Sequence, residues 1–491
     1  MIIKNDPASI ASYFEDSSNL KGGHCEKVAL PEKIDDIVEI IRQANRAKIP
    51  VTISGGGTST TGSRIPFGGI VVSLERLNRI IGVDAASRRI VVESGALVED
   101  VKNFCESRGL FYTSHPTERT AFVGGTVATN SSGARSFKYG PTRKYVKRLK
   151  MVLASGELLE IRRGERSIGY GDSTITLPGP SSITIPLPHY RMPKVKNSAG
   201  YFAEDGMDLI DLFIGQEGTL SVIAEVELGL ERKPFKIFSI FIFLATEKDA
   251  WLLSDQIKRT VRQGELNSIL SVEYFDSNAL DLLRLKNSNV PAAARSAIFI
   301  EEELDGPDDG AVSERWMRLI DEHKASVDDT WVAVSSEDVE EFARFRHAIP
   351  DAVNERIRRY AFPKLSSDIA VPDRAFLEMM QFYSDSFKYA GLEHVLFGHI
   401  GENHLHANVL PHSNDELVKA RDLIFKFIKK GIFLGGTVSA EHGIGKIKHE
   451  YLEEMYGKDG ILEMARIKKA FDPNCILGLD NIFPKEILNS I

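Results

Sequence analysis

The amino-acid sequence predicts an α+β protein built from two structural units and a C-terminal segment. Three observations support this prediction. The chain has 491 residues, more than one ordinary core holds, and 43% of them are hydrophobic, as in a globular protein. Strand-like and helix-like patterns alternate in the first 160 residues and again beyond residue 234. Between these regions, residues 178–193 contain five prolines and interrupt both patterns.

The first unit shows the alternation of an α/β domain. Apolar residues at helical spacing predict helices over 31–48 and 97–108. Short β-branched runs bounded by glycine or charge predict strands over 49–54, 69–73 and 89–93.

The second unit follows an extended excursion predicted over 162–204 and renewed order over 208–227. Its predicted strands are 235–245, 269–275 and 297–302, and its predicted helices are 247–263, 278–285 and 310–324. The tail, 440–491, reads as helical with a break at Asp472-Pro473.

Composition excludes several classes of function. The net charge of −8 argues against nucleic acid as the main partner. Cys25, Cys105 and Cys475 lie far apart, so they neither ligate an iron–sulfur cluster by themselves nor form a disulfide framework. The most apolar run, 237–245, is shorter than the ~20 residues of a membrane helix. We expect a soluble protein of the cytoplasm, with no targeting segment, and leave peripheral membrane docking open.

A glycine-rich loop over 54–63 follows the strand predicted over 49–54. Glycines let backbone N–H groups approach an anion, and the Ser and Thr hydroxyls add donors, so the loop can hold a phosphate or pyrophosphate. The dinucleotide fingerprint fails at Thr60 and the P-loop fails at Ser63. The alternative is a plain glycine-rich turn.

Two further glycine clusters, over 124–133 and 212–220, favour the binding loop. Together the three clusters resemble the FAD-binding (PCMH-type) domain of the vanillyl-alcohol-oxidase-type flavoproteins, over residues 25–230. The resemblance implies an FAD domain over 1–232, an α+β substrate or cap domain over 233–438, and a C-terminal helical segment, 439–491, that completes the FAD domain and the active site.

The resemblance also implies which residues contact FAD. The pyrophosphate would bind the first loop, at Ser54, Gly55, Gly56, Gly57, Thr58, Ser59 and Gly62. The isoalloxazine side would contact the second, at Pro116, Gly124, Gly125, Thr129, Asn130, Ser132 and Gly133. The adenosine or ribityl part would contact Glu217, Gly218 and Ile223. We expect FAD to be non-covalent, with His115 the one candidate for covalent attachment.

Three of the twelve histidines fall within residues 398–408, a predicted strand–turn–strand hairpin. His404, His406 and Asn408 alternate, so they share one face of the second strand, and the turn brings His399 toward that face. Lone histidines are usually packed core or surface residues, whereas this cluster is better explained by a site.

A second segment, 435–446, places Glu441 and His442 among small residues. Two imidazoles and a carboxylate make a three-ligand site for Zn²⁺ or another first-row divalent ion, with a position left open for substrate. The alternative is a salt-bridged glutamate beside a histidine at a helix start.

The two segments together resemble the C-terminal part of FAD-linked oxidases of the glycolate oxidase, D-lactate dehydrogenase and D-2-hydroxyglutarate dehydrogenase group. The family pattern is Gly-His-x-Gly-Asp-Gly-Asn-x-His, then Glu-His-Gly-x-Gly. This sequence departs from it at Glu402, Asn403 and His404. By the resemblance the metal ligands are His399, His406 and Glu441, the substrate contact is Asn408, and the base is His442.

His442 is expected to have an imidazole pKa near the working pH, and His404 receives no role.

Residues 344–350 and 364–372 resemble the substrate-carboxylate segment of the same group. Arg346 would grip the carboxylate through two parallel hydrogen bonds, with Lys364 as a second candidate. The alternative for Arg346 is a surface charge on a helix.

The resemblance implies FAD-dependent oxidation of a D-2-hydroxy acid, such as D-lactate or glycolate, by metal-assisted deprotonation and hydride transfer to flavin. The electrons would leave to a separate acceptor, namely a quinone, a cytochrome or an electron-transfer protein, and a homodimer is compatible with the sequence. One alternative is a transferase like alkyl-dihydroxyacetonephosphate synthase, although its run of consecutive histidines is missing. The other is a non-catalytic flavin-binding subunit of an oxidoreductase complex.

Overall fold

The computed structural model describes residues 1–113, 116, 118–177, 182–306, 310–333, 335–360, 362–363 and 365–491. The described chain forms three main sheets, with helices packed on them. No helix in these residues is both long enough and apolar enough to cross a membrane.

The first sheet has four strands and joins the N-terminus to the first glycine loop. Its strands, in spatial order, are Ile2–Lys4, Lys27–Leu30, Ile70–Ser73 and Val51–Ser54. The last three run parallel, and the helix Ile34–Ala47 buries Ile37, Ile40 and Ile41 against them. The first glycine loop therefore begins at the carboxyl end of a parallel strand, where α/β sheets commonly bind ligands.

The second sheet has five antiparallel strands: Ile80–Asp84, Arg89–Glu93, Ser221–Gly229, Val146–Leu153 and Leu158–Arg162. Three short pairs flank it: Leu110–Phe111 with Glu231–Arg232, Ser167–Ile168 with Met207–Asp208, and Gly171–Thr176 with Ser182–Leu187. The helices of this region are Pro7–Ile10, Val98–Glu106, Val123–Ala128 and Ser136–Tyr139.

The third sheet has eight strands and carries the histidine hairpin. Its order is Trp331–Ala333, Lys236–Leu244, Ser296–Leu304, Ile269–Phe275, His394–Gly398, His404–Val409 and Leu365–Ser366, with Ile369–Ala370 also paired to His404–Val409. Its helices are Glu247–Arg262, Ser277–Arg284, Gly310–Glu322, Ser336–Tyr360, Phe376–Ala390 and Asn414–Phe433. Arg135 in the first unit pairs with buried Glu301 of this sheet at 2.7 Å and so ties the two units together.

The chain ends with the helix His449–Phe471, kinked at Gly457, and six 3₁₀ turns occur along the described chain. The turns are Ala11–Phe14, Thr142–Lys144, Leu209–Phe213, Asp373–Ala375, Ile400–Glu402 and Lys485–Ser490. The chain's final residues return to the first sheet, where Leu477 bridges Val51.

Most predicted elements are confirmed to within a few residues, two predictions need correction, and one helix was missed. The excursion over 162–204 contains a hairpin, Gly171–Thr176 with Ser182–Leu187, because alternate residues such as Ile175 and Ile185 are buried. The tail is helical only over His449–Phe471, since backbone N–H groups before that helix bond to a buried carboxylate elsewhere in the chain. The 25-residue helix Ser336–Tyr360 was not predicted.

Candidate active site

One cavity of about 1110 Å³ runs from the glycine loops to the histidine hairpin. Thirteen of the residues predicted to contact FAD line it: Gly55, Gly56, Gly57, Thr58, Ser59, Pro116, Gly124, Gly125, Thr129, Ser132, Glu217, Gly218 and Ile223. The same cavity is lined by His399, His406, Glu441, His442, Arg346 and Asn408. The structure therefore joins the two predicted halves of the site in one space.

Four residues predicted to contact FAD do not line this cavity: Ser54, Gly62, Asn130 and Gly133. Asn130 shows why. Its Oδ1 accepts from the backbone N–H of Arg143 at 3.0 Å, and its Nδ2 donates to the carbonyl of Asn197 at 3.3 Å. The side chain of Asn130 thus bonds to neighbouring backbone groups and does not face this cavity. His115 and Lys364 lie outside the described residues.

The cavity fits a large polar cofactor such as FAD. The hydroxyl oxygens of Ser94 and Ser131 are buried, line the cavity and have no hydrogen-bond partner among the described residues. A buried hydroxyl without a hydrogen-bond partner destabilises the folded protein unless a ligand or a water molecule bonds to it. A Cβ atom on Gly125 would project into open space, and Gly57 adopts a φ of +79° that other residues rarely adopt. The loops therefore leave room and hydrogen-bonding groups for a bound molecule.

Glu217 connects the first glycine loop with the Glu441–His442 segment. Its buried carboxylate accepts from Ser63 Oγ and from the backbone N–H groups of Ile444 and Gly445, each at 2.8 Å. Burial raises the pKa of Glu217, and these hydrogen bonds oppose the rise. A side chain at Gly443, where φ is +74°, would collide with this carboxylate. Glu217 is therefore a structural link as well as part of the cavity wall.

The histidine hairpin places three imidazoles around the carboxylate of Glu441. The strands His394–Gly398 and His404–Val409 pair so that Phe397 lies opposite His406. The Nε2 atoms of His399 and His406 lie 3.3 and 3.4 Å from Glu441 Oε1. His404 Nδ1 lies 4.0 Å from Glu441 Oε2. The expected convergence of His399, His406 and Glu441 is present, and His404, which had no assigned role, joins them.

Two buried carboxylates form hydrogen bonds with two of these rings. Glu273 Oε1 lies 2.6 Å from His399 Nδ1, and Asp368 Oδ1 lies 2.8 Å from His404 Nε2. A carboxylate accepts hydrogen bonds, so each contacted ring nitrogen carries a proton. Burial lowers the pKa of His404 to about 3, so the other nitrogen of that ring keeps a lone pair, whereas a metal ion at His399 would replace the proton on Nε2. Metal-binding histidines in proteins are commonly oriented in this way. The four side chains His399, His404, His406 and Glu441 can each offer one ligand atom within 4.8 Å of the others, which fits a metal ion.

The charge around His399 favours a cation. Burial alone would lower the pKa of His399, but the carboxylates of Glu273 and Glu441 outweigh it and raise that pKa to about 9. Burial raises the pKa of Glu441, yet Lys196 and His399 hold it well below its usual value. The site thus stabilises positive charge beside an ionised Glu441.

His442 lies beside this group with its ring stacked on His406, the ring centres 5.1 Å apart. Its side chain is 32% exposed, and its Nδ1 and Nε2 lie 3.4 and 3.5 Å from Asp368 and Glu441. Removal from bulk water lowers the pKa of His442 to about 4, against the opposing effect of the two carboxylates. The expectation of a pKa near the working pH is therefore wrong, and the His442 imidazole is neutral there.

Arg346 lines the cavity, as predicted, but it also has a partner in the protein. Its Nε and Nη2 donate to Glu273 Oε2 at 3.0 and 2.8 Å, and its Nη1 lies 3.1 Å from His347 Nε2. Asn408 donates from Nδ2 to the carbonyl of His406 at 3.0 Å. Arg346 is therefore not a surface charge: its guanidinium is bonded to Glu273 and also lines the cavity.

Sequence reasoning missed Lys196, which is buried and donates to Glu441 Oε2 at 2.8 Å and to Glu402 Oε2 at 3.1 Å. Burial would lower the pKa of Lys196, but Glu402 and Glu441 raise it. Lys196 follows the strand Ser182–Leu187, in a stretch of sequence without a recognisable motif. Glu273 and Asp368 were missed for the same reason, since each is a single carboxylate far along the chain from the rings it holds.

Comparison with known proteins agrees with this geometry. The family described as FAD binding domain matches residues 25–162, and that described as FAD linked oxidases, C-terminal domain, matches residues 253–479. The chain is 28% identical to glycolate oxidase subunit GlcD of Bacillus subtilis, over 94% of this chain and 89% of that protein. It is 27% identical to D-2-hydroxyglutarate dehydrogenase of Xanthomonas citri pv. viticola, over 98% of this chain and 94% of that protein.

Among solved structures, 4-ethylphenol oxidase from Gulosibacter chungangensis shares the fold, with a TM-score of 0.69 at 16% identity over 99% of this chain and 95% of that one. The chain thus has the FAD-binding (PCMH-type) fold of the vanillyl-alcohol-oxidase type. It contains an FAD binding domain and a C-terminal domain like that of the FAD linked oxidases, and these domains support FAD as its cofactor.

Proposed function

We propose that this protein oxidises a D-2-hydroxy acid to the 2-oxo acid, with FAD as electron acceptor and a divalent metal ion held by His399, His406 and Glu441. One observation carries the proposal. The Nε2 atoms of both histidines lie within 3.4 Å of Glu441 Oε1, on the wall of the cavity that the glycine loops also line. Glycolate and D-2-hydroxyglutarate, which the names of the two relatives specify, are both 2-hydroxy acids.

The donor set supports a first-row divalent ion, with Zn²⁺ as the first candidate. Imidazole nitrogen and carboxylate oxygen are ligands that suit zinc and its neighbours. His399 Nδ1 donates to Glu273, so Nε2, which faces Glu441, is the nitrogen that a metal ion would bind in place of a proton. Bound FAD supplies a two-electron acceptor, and a bound divalent ion supplies Lewis acidity that lowers the pKa of the substrate hydroxyl.

The chain's own residues would position the substrate and move one proton. His442 accepts the hydroxyl proton, since its imidazole is neutral at working pH and lies beside Glu441. The hydrogen on the 2-carbon leaves with its bonding electron pair, and the C–O single bond becomes a C=O bond. Arg346 and Asn408 face the same cavity and would orient the carboxylate, with Lys364 as a second candidate.

The proposal includes a separate electron acceptor and a location in the cytoplasm. It also includes the division of the chain into an FAD domain (1–232), a substrate domain (233–438) and a C-terminal segment (439–491) that completes the active site. The support for a separate acceptor is the cysteine content, because three dispersed cysteines do not build an internal iron–sulfur relay.

Anaerobic mixing of the purified protein with single substrates tests the proposal. D-lactate, glycolate and D-2-hydroxyglutarate form the panel, and L-lactate is the stereochemical control. We expect at least one D-acid or glycolate to bleach the flavin absorbance and L-lactate to leave it unchanged. If dithionite reduces the flavin but no acid in a broad 2-hydroxy-acid panel does, the protein is a non-catalytic flavin-binding subunit or acts on another substrate class.

A further inference from the structure

His404 is the histidine that the family pattern does not contain, and its side chain is completely buried. Its Nε2 donates to Asp368 Oδ1 at 2.8 Å, so its Nδ1 keeps a lone pair. Among the described residues, Nδ1 has no hydrogen-bond partner. A buried acceptor left in this state is unfavourable unless something else satisfies it.

The unsatisfied nitrogen points into the group of proposed metal ligands. His404 Nδ1 lies 4.0 Å from Glu441 Oε2, and the ring centre of His404 lies 5.2 Å from that of His399 and 4.7 Å from that of His406. A lone pair facing a carboxylate oxygen repels it, whereas a cation between them attracts both. The four side chains can offer one ligand atom each within 4.8 Å.

Asp368 fixes His404 in this orientation and is itself firmly held. Its Oδ2 accepts from Ser439 Oγ at 2.7 Å, from Lys448 Nζ at 3.0 Å and from the backbone N–H of His442 at 3.0 Å. Asp368 thus stands to His404 as Glu273 stands to His399, because each carboxylate accepts a hydrogen bond from one ring nitrogen and directs the other nitrogen toward Glu441.

We propose that His404 is a fourth metal ligand in this protein, so that the ion is held by three imidazoles and one carboxylate. The inference rests on the proposed metal site and goes beyond it. A substrate that chelates the ion then raises the coordination number to five or six. Such a nitrogen-rich set favours Fe²⁺, Co²⁺, Ni²⁺ or Zn²⁺ over Mg²⁺ and Ca²⁺, which prefer oxygen.

Cobalt binding to the chelator-treated flavoprotein tests the proposal without relying on turnover. Isothermal calorimetry measures the affinity for Co²⁺, and X-ray absorption at the cobalt edge counts the imidazoles around the ion. We expect one Co²⁺ per chain with three imidazoles in the unmodified protein. His404→Asn, which restores the family residue, should keep its flavin, show two imidazoles and bind Co²⁺ roughly ten- to a hundredfold more weakly.

Two other variants separate the possible failures. His412→Asn changes a 42%-exposed histidine on Glu393 and should bind Co²⁺ as the unmodified protein does. His399→Asn should lose affinity under either ligand set. The role of His404 would be overturned, and the three-ligand site would remain, if the unmodified protein showed only two imidazoles around Co²⁺. The same conclusion would follow if His404→Asn bound Co²⁺ as tightly as the unmodified protein while His399→Asn bound it more weakly. If His404→Asn fails to fold, the imidazole count of the unmodified protein decides alone. Absence of Co²⁺ binding by the unmodified protein would overturn both.

Discussion

Arg346 and Glu273 form a two-bond ion pair at 3.0 and 2.8 Å, and Glu273 uses its other oxygen to hold His399 Nδ1 at 2.6 Å. The Glu273 side chain is 2% exposed, and burial would raise its pKa, yet Arg346 and His399 lower it to about 2. Arg346, which we propose to bind the substrate carboxylate, thus shares the carboxylate of Glu273 with His399, a proposed metal ligand.

Arg346→Lys should therefore raise the KM for substrate while FAD and metal remain bound. Lysine keeps the charge beside Glu273 but loses the planar pair of donors that matches a carboxylate. The loss of one charge-assisted hydrogen bond, about 1.5–3 kcal/mol, corresponds to a roughly ten- to hundredfold rise. Steady-state kinetics and metal analysis measure the two effects. An unchanged KM would show that Arg346 supports Glu273 and does not bind substrate.

The purified protein should be yellow, and acid precipitation should release its FAD. The cavity offers hydrogen-bonding groups such as the hydroxyls of Ser94 and Ser131, which have no partner in the part of the chain that the structure describes and which a non-covalent cofactor can use. The absorbance of the supernatant and pellet after precipitation measures the release. Colour retained in the pellet would indicate a covalent bond, and His115→Ala would then be the first variant to examine.

A chelator should abolish turnover without releasing FAD, because the proposed metal ligands and the glycine loops are different residues along the same cavity. His399→Ala and His406→Ala should have the same effect. Metal content, flavin absorbance and dye-coupled turnover are measured on the same samples, and Zn²⁺ is added back as a control. An active preparation without a bound divalent ion would remove the metal from the proposed chemistry.

His442→Ala should keep FAD and metal but slow flavin reduction by substrate roughly 10²–10⁴-fold, the usual contribution of a general base. The reason is that the hydroxyl proton loses its acceptor beside Glu441. Stopped-flow measurement under anaerobic conditions isolates flavin reduction from reoxidation. A rate close to that of the unmodified protein would exclude His442 as the base.

Lys258 should make the free energy of unfolding depend on pH. Its buried ammonium group lies 3.1 Å from the centre of the Phe376 ring, and burial lowers its pKa to about 7, against the effect of Asp373 and Asp255. The unfolded chain holds this proton up to about pH 10.4. Between pH 7 and pH 10 the unfolded state thus binds more protons, so the contribution of Lys258 to stability rises with pH, by at most about 1.4 kcal/mol per unit.

Lys258→Met should remove this rise, and Lys248→Met supplies the matched control, since Lys248 is exposed on the same helix. Chemical denaturation at pH 7, 8 and 9 gives the free energy of unfolding of each variant. Equal slopes for Lys258→Met and the unmodified protein would mean that Lys258 stays protonated in the folded state up to pH 9.

The parts of the fold and site that the sequence predicts are those encoded in short segments. The loop over 54–63 and the hairpin around His399 and His406 are local patterns, and the structure has them where the patterns indicate. Lys196, Glu273 and Asp368 could not be predicted, because each reaches its partner through packing of elements far apart in the chain. The helix Ser336–Tyr360 was missed although it carries Arg346, since Pro350 interrupts its pattern.

Glu217 gives the order of synthesis a role in cofactor capture. A ribosome makes the glycine loops early, but the partners of the Glu217 carboxylate, the N–H groups of Ile444 and Gly445, emerge more than two hundred residues later. Asn481, which donates to the Glu217 carbonyl at 2.8 Å, follows later still. Until those residues are made, the cavity wall at Glu217 lacks its C-terminal donors. We expect a chain truncated before residue 444 to hold FAD more weakly than the full chain, and flavin content after purification measures this.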